Sequence, residues 1–213
     1  MYTSISDLQY DHVMNVIRGN EKLNPFFQEL KDFIEQQHDI VIFDFYITNK
    51  NDKNYIVALT NKNWNYQRKA YFTTIQLINN RILELCIEYN FMPLVALESN
   101  IIFENFTSIY RGKCYKLASE KAVSFLTEKY SQYNISFVNY SGFGWLTVFY
   151  TNEKEEKNNL ENGINNLIAE DFHIIMKEFD ELKLIKNEDY IVGFDNKESL
   201  QKCYNGNLYQ YYK

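Results

Sequence analysis

One pattern occurs twice in this chain, roughly ninety-four residues apart, and that repetition limits the possible fold more than any other feature. Asp39-Ile40-Val41-Ile42-Phe43-Asp44-Phe45 reads against Asn134-Ile135-Ser136-Phe137-Val138-Asn139-Tyr140. Each run follows an amphipathic helical pattern and leads through a polar turn to a second strand. Those second strands close on Leu59-Thr60-Asn61-Lys62 and Tyr150-Thr151-Asn152-Glu153. A further amphipathic helix completes each copy. Self-similarity of this kind marks a repeated supersecondary unit. Here it is αββα, with copies at about 24–90 and 118–185.

The local signals fill in the rest. Ser4 or Ser6 caps a first helix that stops at Gly19. Asn24-Pro25 starts a second helix, because Asn accepts from first-turn amides and Pro at the first position loses no bond. Phe26, Phe27, Leu30, Phe33 and Ile34 form its apolar face. Strands are predicted over 40–48 and 54–60, a long helix over 65–89, and short strands near 94–97, 101–106 and 109–116. Ser119 is then placed as the cap of a helix bearing Ala122, Val123, Leu126 and Tyr130. A hairpin follows at 134–140 and 145–150. One last long helix carries Leu160, Ile164, Leu167, Ile168, Phe172, Ile175, Phe179 and Leu182, and a short strand near 190–192 comes before a final helical turn. Hairpins recur where parallel folds need crossovers, so the expected class is α+β, an antiparallel sheet with flanking helices. With 7 Gly and 2 Pro in 213 residues there is little linker material, and a single compact domain over 1–213 is expected.

Charge and targeting signals narrow the function. The net charge is −6, and it is concentrated in one stretch. Residues 151–190 hold eleven acids against five lysines. A nucleic-acid binder needs a basic face to displace counterions from phosphates, so that class is set aside. The start of the chain has no basic, apolar leader and no segment reads as a membrane span. Three cysteines, odd in number and far apart, give no disulfide framework. A cytoplasmic protein with no membrane partner is the expectation.

Chemical motifs are sparse. Glu35-Gln36-Gln37-His38 and Glu170-Asp171-Phe172-His173 place a carboxylate and an imidazole at i, i+3, the spacing used by di-iron bundles. Neither lies in a four-helix context, so no metal and no cofactor is expected. Asp44 interrupts an apolar strand, sharing a face with Ile40 and Ile42 by simple alternation. A carboxylate buried there is costly unless partnered. Its counterpart in the second copy is Asn139, which favours a structural role at a strand end. No nucleophile elbow, phosphate loop or dinucleotide fingerprint is present.

Two features favour docking over catalysis. At 100° per residue, Glu170, Asp171, Glu178 and Glu181 fall on one arc beside the apolar stripe of the last long helix. Aromatic residues make up 17% of the chain, and its end carries Tyr209, Tyr211 and Tyr212, a residue type enriched at protein interfaces. The leading expectation is a non-enzymatic module that binds a basic protein. The four acids would steer association, and the three tyrosines would anchor it. A bacterial immunity protein masking a basic toxin has this profile, although no motif assigns the chain to a named immunity family. The alternatives are a small metal-dependent or carboxylate-centred hydrolase using Asp44 or the Glu-x-x-His pairs, and a homodimer formed through aromatic surface.

Overall fold

The computed structural model describes residues 5–50, 53–63, 68–90, 100–141, 145–186 and 191–213. Among the described residues the fold is α+β, with eight α-helices and two three-stranded sheets. No described helix is long and apolar enough to cross a membrane. The chain divides into two compact units, Met1–Ile109 and Tyr110–Lys213.

In the first unit, α1 (Asp7–Ile17) is followed by α2 (Pro25–Gln37), β1 (Ile42–Lys50), β2 (Lys53–Thr60), α3 (Arg68–Glu88) and β3 (Asn100–Asn105). Ser6 and Gln9 form a reciprocal capping box at α1. Asn24 caps α2 by accepting from the Phe26 amide at 2.9 Å, with Pro25 at the first helical position. β1 pairs antiparallel with β2, and β3 runs parallel to β2. Helices α2 and α3 cover one face of this sheet. Phe26, Leu30, Ile34, Ile78, Ile82 and Leu85 pack there against Ile42, Phe45, Ile56, Ala58 and Ile101.

The second unit repeats the plan. α4 (Phe106–Lys129) leads to β4 (Ile135–Tyr140), β5 (Leu146–Tyr150), α5 (Glu153–Glu161), α6 (Ile164–Phe179) and β6 (Val192–Asn196), followed by α7 (Lys197–Tyr204) and α8 (Leu208–Tyr211). Again an antiparallel hairpin takes a third strand in parallel. α4 and α6 cover one face, with Ala118, Ala122, Leu126, Ile168, Phe172 and Met176 against Val138, Leu146, Val148 and Val192. The expected αββα units are therefore present, each extended by a parallel strand that makes its sheet mixed.

Several local expectations need correction. The predicted strand at 109–116 and the cap at Ser119 are both replaced by α4. Phe106, Tyr110, Cys114, Ala118, Ala122, Leu126 and Tyr130 are all buried, and this run of four-residue steps is a helical stripe. Ser119 lies buried within it. The single helix expected across 160–182 is two helices, because Gly163 takes a left-handed φ of 74° between them. Leu160 and Leu167 are exposed, Leu167 because it lies about 100° around α6 from the buried Ile168, Phe172 and Ile175. The strand expected near 94–97 lies outside the described residues, as does the start of the one expected at 190–192; β6 begins at Val192.

The pairing also resets the repeat. Ile42, Thr60 and Asn105 align across the first sheet, and Ile135, Tyr150 and Asn196 across the second. In each unit the third strand passes directly into a helix at that asparagine. Asn105 accepts from the Ser108 amide at 3.1 Å and Asn196 from the Ser199 amide at 2.8 Å. Both first strands slip register just after the aligned isoleucine, as at a β-bulge. The next row is then Asp44–Leu59–Glu104 in one unit and Phe137–Phe149–Asp195 in the other. The position matching Asp44 is Phe137, not Asn139.

Candidate functional site

The last long helix was the expected docking element, and α6 brings three of its four acids together. Glu170, Asp171 and Glu178 lie on one side of α6. Glu181 does not join them, because α6 ends at Phe179 and Glu181 sits exposed in the following turn. That turn is held from inside. The Asp180 carboxylate accepts from the Leu184 and Ile185 amides at 3.0 and 2.9 Å, and the Tyr110 hydroxyl accepts from the Leu182 amide at 2.9 Å. Two of the grouped acids have cationic neighbours on α4. Lys121 pairs with Glu178, and Lys129 lies 2.5 Å from Asp171, which also accepts from the Tyr130 hydroxyl at 2.7 Å.

The same helix face carries an apolar component. At 100° per residue, Leu167, Glu170, Asp171, Ile174 and Glu178 fall within an arc of about 100°. Leu167 is 48% exposed and Ile174 59%. Beside Glu170 and Ile174 is a groove of about 510 Å³, lined also by Phe172, His173, Met176 and Ile191. Ile191 is 79% exposed. Burial pushes the His173 imidazole below its ordinary value, and its Nε2 is enclosed without a hydrogen-bond partner. A neutral imidazole therefore suits this apolar setting.

The tyrosines divide. Tyr211 packs edge-on against Phe149, Tyr204 and Tyr212, with ring centroids 5.3, 5.4 and 4.9 Å away. The Tyr212 hydroxyl accepts from the Asn139 side chain at 3.3 Å. These two side chains cover the second sheet of their own unit. Tyr209 is 63% exposed, with Lys213 Nζ 4.7 Å from its ring centre.

The two Glu-x-x-His sequences have different fates. His38 lies beyond the last residue of α2 in extended backbone, so it does not share a helical face with Glu35. Glu35 instead accepts from the Ile42 amide at 2.6 Å, just before the register slip in β1. Glu170 and His173 do line one groove on α6. Among the described residues, no three His, Cys, Asp or Glu side chains are grouped as a metal site.

Asp44 has the most distinctive surroundings in the first unit. It is 3% exposed, and the slip after Ile42 directs it away from the α2–α3 core and towards α1. Its Oδ1 accepts from the Phe45 amide at 2.7 Å, and its Oδ2 lies 3.4 Å from His12 Nε2. The other ring nitrogen of His12, Nδ1, contacts Glu21. Glu21 also accepts from the Asn15 side chain at 2.9 Å. Burial is the chief cause that raises the Asp44 carboxyl above its usual range, opposed by the Phe45 amide and the charge of His12. These groups border a cavity of about 440 Å³ whose apolar wall includes Leu8, Val13, Phe45 and Leu59. Sequence alone singled out Asp44 but gave no reason to pair it with His12 or Glu21. Compared with known proteins, the chain matches no family model, no curated protein and no solved structure.

Proposed function

We propose that this chain is a non-enzymatic protein-binding module that takes a basic protein on the outer face of α6. The carrying observation is the mixture on that face: Leu167 and Ile174 stand exposed within the same arc as Glu170, Asp171 and Glu178. Apolar contact excludes water at the centre of an interface, while surrounding charge sets partner choice and association rate. The eleven acids against five lysines of residues 151–190 supply the long-range attraction. Lys121 and Lys129 already hold Glu178 and Asp171, so a partner's basic groups meet Glu170 first and compete at the other two. An immunity-type role, in which the module masks a basic toxin, is the biological form of this reading. Tyr211 and Tyr212 pack within their own unit, so the anchoring contact is assigned to Leu167 and Ile174 instead.

The test is capture from the native cytosol at low salt, followed by association kinetics with the basic protein recovered. Ile174→Asp is expected to weaken binding at least about tenfold, since it buries an unpaired charge at the interface centre. Glu170→Lys is expected to slow association and flatten its salt dependence. A partner that binds both variants as it binds the parent protein removes α6 from the account.

A second reading has one observation in its favour. Asp44 with His12 at the edge of a cavity is the arrangement a carboxylate-centred hydrolase would use. Turnover of an ester or phosphoester by purified protein, lost in Asp44→Asn, would establish it. Turnover unchanged in that variant, or none across such substrates, would sink it.

A further inference from the structure

Both ring nitrogens of His12 face carboxylate oxygens, Nδ1 towards Glu21 and Nε2 towards Asp44. A neutral imidazole carries a single N–H, and two ionised carboxylates are acceptors only. The arrangement is therefore one proton short unless the trio binds another, either on the second ring nitrogen or on Asp44. We propose that His12, Glu21 and Asp44 form a proton-dependent clasp, closed when the trio holds that second proton, that fastens α1 over the adjoining cavity.

The placement of the three groups makes the clasp mechanical as well as electrostatic. His12 lies on α1, Glu21 in the connection to α2, and Asp44 on β1. Leu8, Asp11, His12 and Val13 of α1 form one wall of the cavity, and Asp44, Phe45 and Leu59 of the sheet form the opposite wall. Apolar contacts also hold α1: Val13 and Met14 are buried, and the Tyr10 ring lies 5.6 Å from that of Phe106. Opening is accordingly a loosening at the His12 end of the cavity, with the helix kept in place by its buried side.

Among the described residues, further charged and titratable groups border the clasp. Asp11 of α1 borders the cavity. Lys31 of α2 acts on Asp44 through its charge and lies 3.8 Å from Glu35. Tyr46 of β1 borders the cavity, and its hydroxyl donates to Glu104 of β3 at 3.1 Å. The charge of Glu21 favours a proton on Asp44, whereas that of Lys31 opposes it. The raised carboxyl of Asp44 acts in the same direction as the clasp: the folded state holds a proton more tightly than the open chain does.

Asp44→Asn provides the discriminating variant. Its amide can donate to Nε2 of a neutral His12 while Nδ1–H continues to donate to Glu21, so the clasp closes without the extra proton. Amide hydrogen exchange of residues 8–17 and 42–46, corrected for intrinsic rates, is to be followed from pH 5 to pH 9. In the parent protein, protection is expected to fall by up to about tenfold per pH unit once the second proton leaves. In Asp44→Asn it is expected to stay level and to exceed the parent's at pH 9. The nitrogen-15 shifts of His12 give a second readout, with Nε2 changing its protonation or bonding state over the same pH interval in the parent alone. Protection that follows the same pH course in both proteins, or His12 shifts that stay constant while protection falls, overturns the clasp.

Discussion

The two units share a frame and differ in what covers it. Each has an antiparallel hairpin extended by a parallel third strand, a slip after the aligned isoleucine, and an asparagine that turns the third strand into a helix. On the far side of the second sheet the cover is aromatic. Phe137 stacks on Phe149 with centroids 4.6 Å apart, and Tyr211 meets Phe149 edge-on. On the far side of the first sheet the matching row begins with Asp44, and the cover is α1 with His12. The frame therefore does not require a carboxylate at this position. At the first-strand position of the row, one unit packs an aromatic ring and the other places a carboxylate beside a cavity.

The largest effect expected from breaking this contrast lies in the packed unit. Phe149→Ala removes a fully buried ring between Phe137 and Tyr211. The expected loss is about 3–5 kcal/mol of unfolding free energy in denaturant titrations. A loss under about 1 kcal/mol would mean that the terminal tyrosines do not enclose that ring.

Making the first unit more like the second should act in the opposite direction. Asp44→Leu replaces a buried carboxylate with an apolar side chain in the row where the other unit has Phe137. The sign follows from the raised carboxyl. Folding favours its protonated form, so that contribution is fully present below the ordinary aspartate range and lost as pH rises through the raised folded value. The variant should thus gain most at pH 8, by about 1–2 kcal/mol, and little at pH 4. Equal gains at both pH values would show that the Asp44 charge is fully compensated by its neighbours.

The capping asparagines test the shared frame itself. Asn105→Ala and Asn196→Ala each remove an acceptor for a first-turn amide, which costs about 1 kcal/mol. Asn196 is buried and also donates to Glu156 at 2.6 Å, so its loss should be the larger of the two in thermal unfolding. The reverse order would indicate that the first unit depends more on its strand-to-helix junction than the second.

How much of this was legible depended on the range of the interactions. The repeat, both hairpins and helices α2 and α3 are written in local periodicity and caps. Two features misled. Tyr110, Gly112 and Cys114 alternate with Arg111 and Lys113 over a short window, and only the longer run to Tyr130 reveals the helical stripe of α4. Gly163 divides a stripe that looks continuous, and Leu167, expected in the core, lies on the acidic side of α6 instead. The α6 acids were visible because they are neighbours on one helix. The His12–Asp44 contact joins residues thirty-two apart through a strand slip, and no periodicity carries that information. The mismatch of Asp44 with Asn139 is a two-residue offset: sequence similarity aligned Ile40 with Ile135, whereas hydrogen-bonded register aligns Ile42 with Ile135 and so matches the bulges.

Asn139 itself supplies the smallest and sharpest test. If it were the counterpart of Asp44, its polarity would be a demand of the frame. In the observed register it aligns with Tyr46, and its amide donates to the Tyr212 hydroxyl at 3.3 Å. Its polarity then answers to the terminal segment, and Tyr212→Phe should cost only the net worth of one neutral hydrogen bond, about 0.5–1.5 kcal/mol. Combining Tyr212→Phe with Asn139→Val should recover part of that loss, because both polar groups are then absent and none is left unpaired. Losses that simply add in the double variant would show that Asn139 has another partner, and that its polarity belongs to the frame after all.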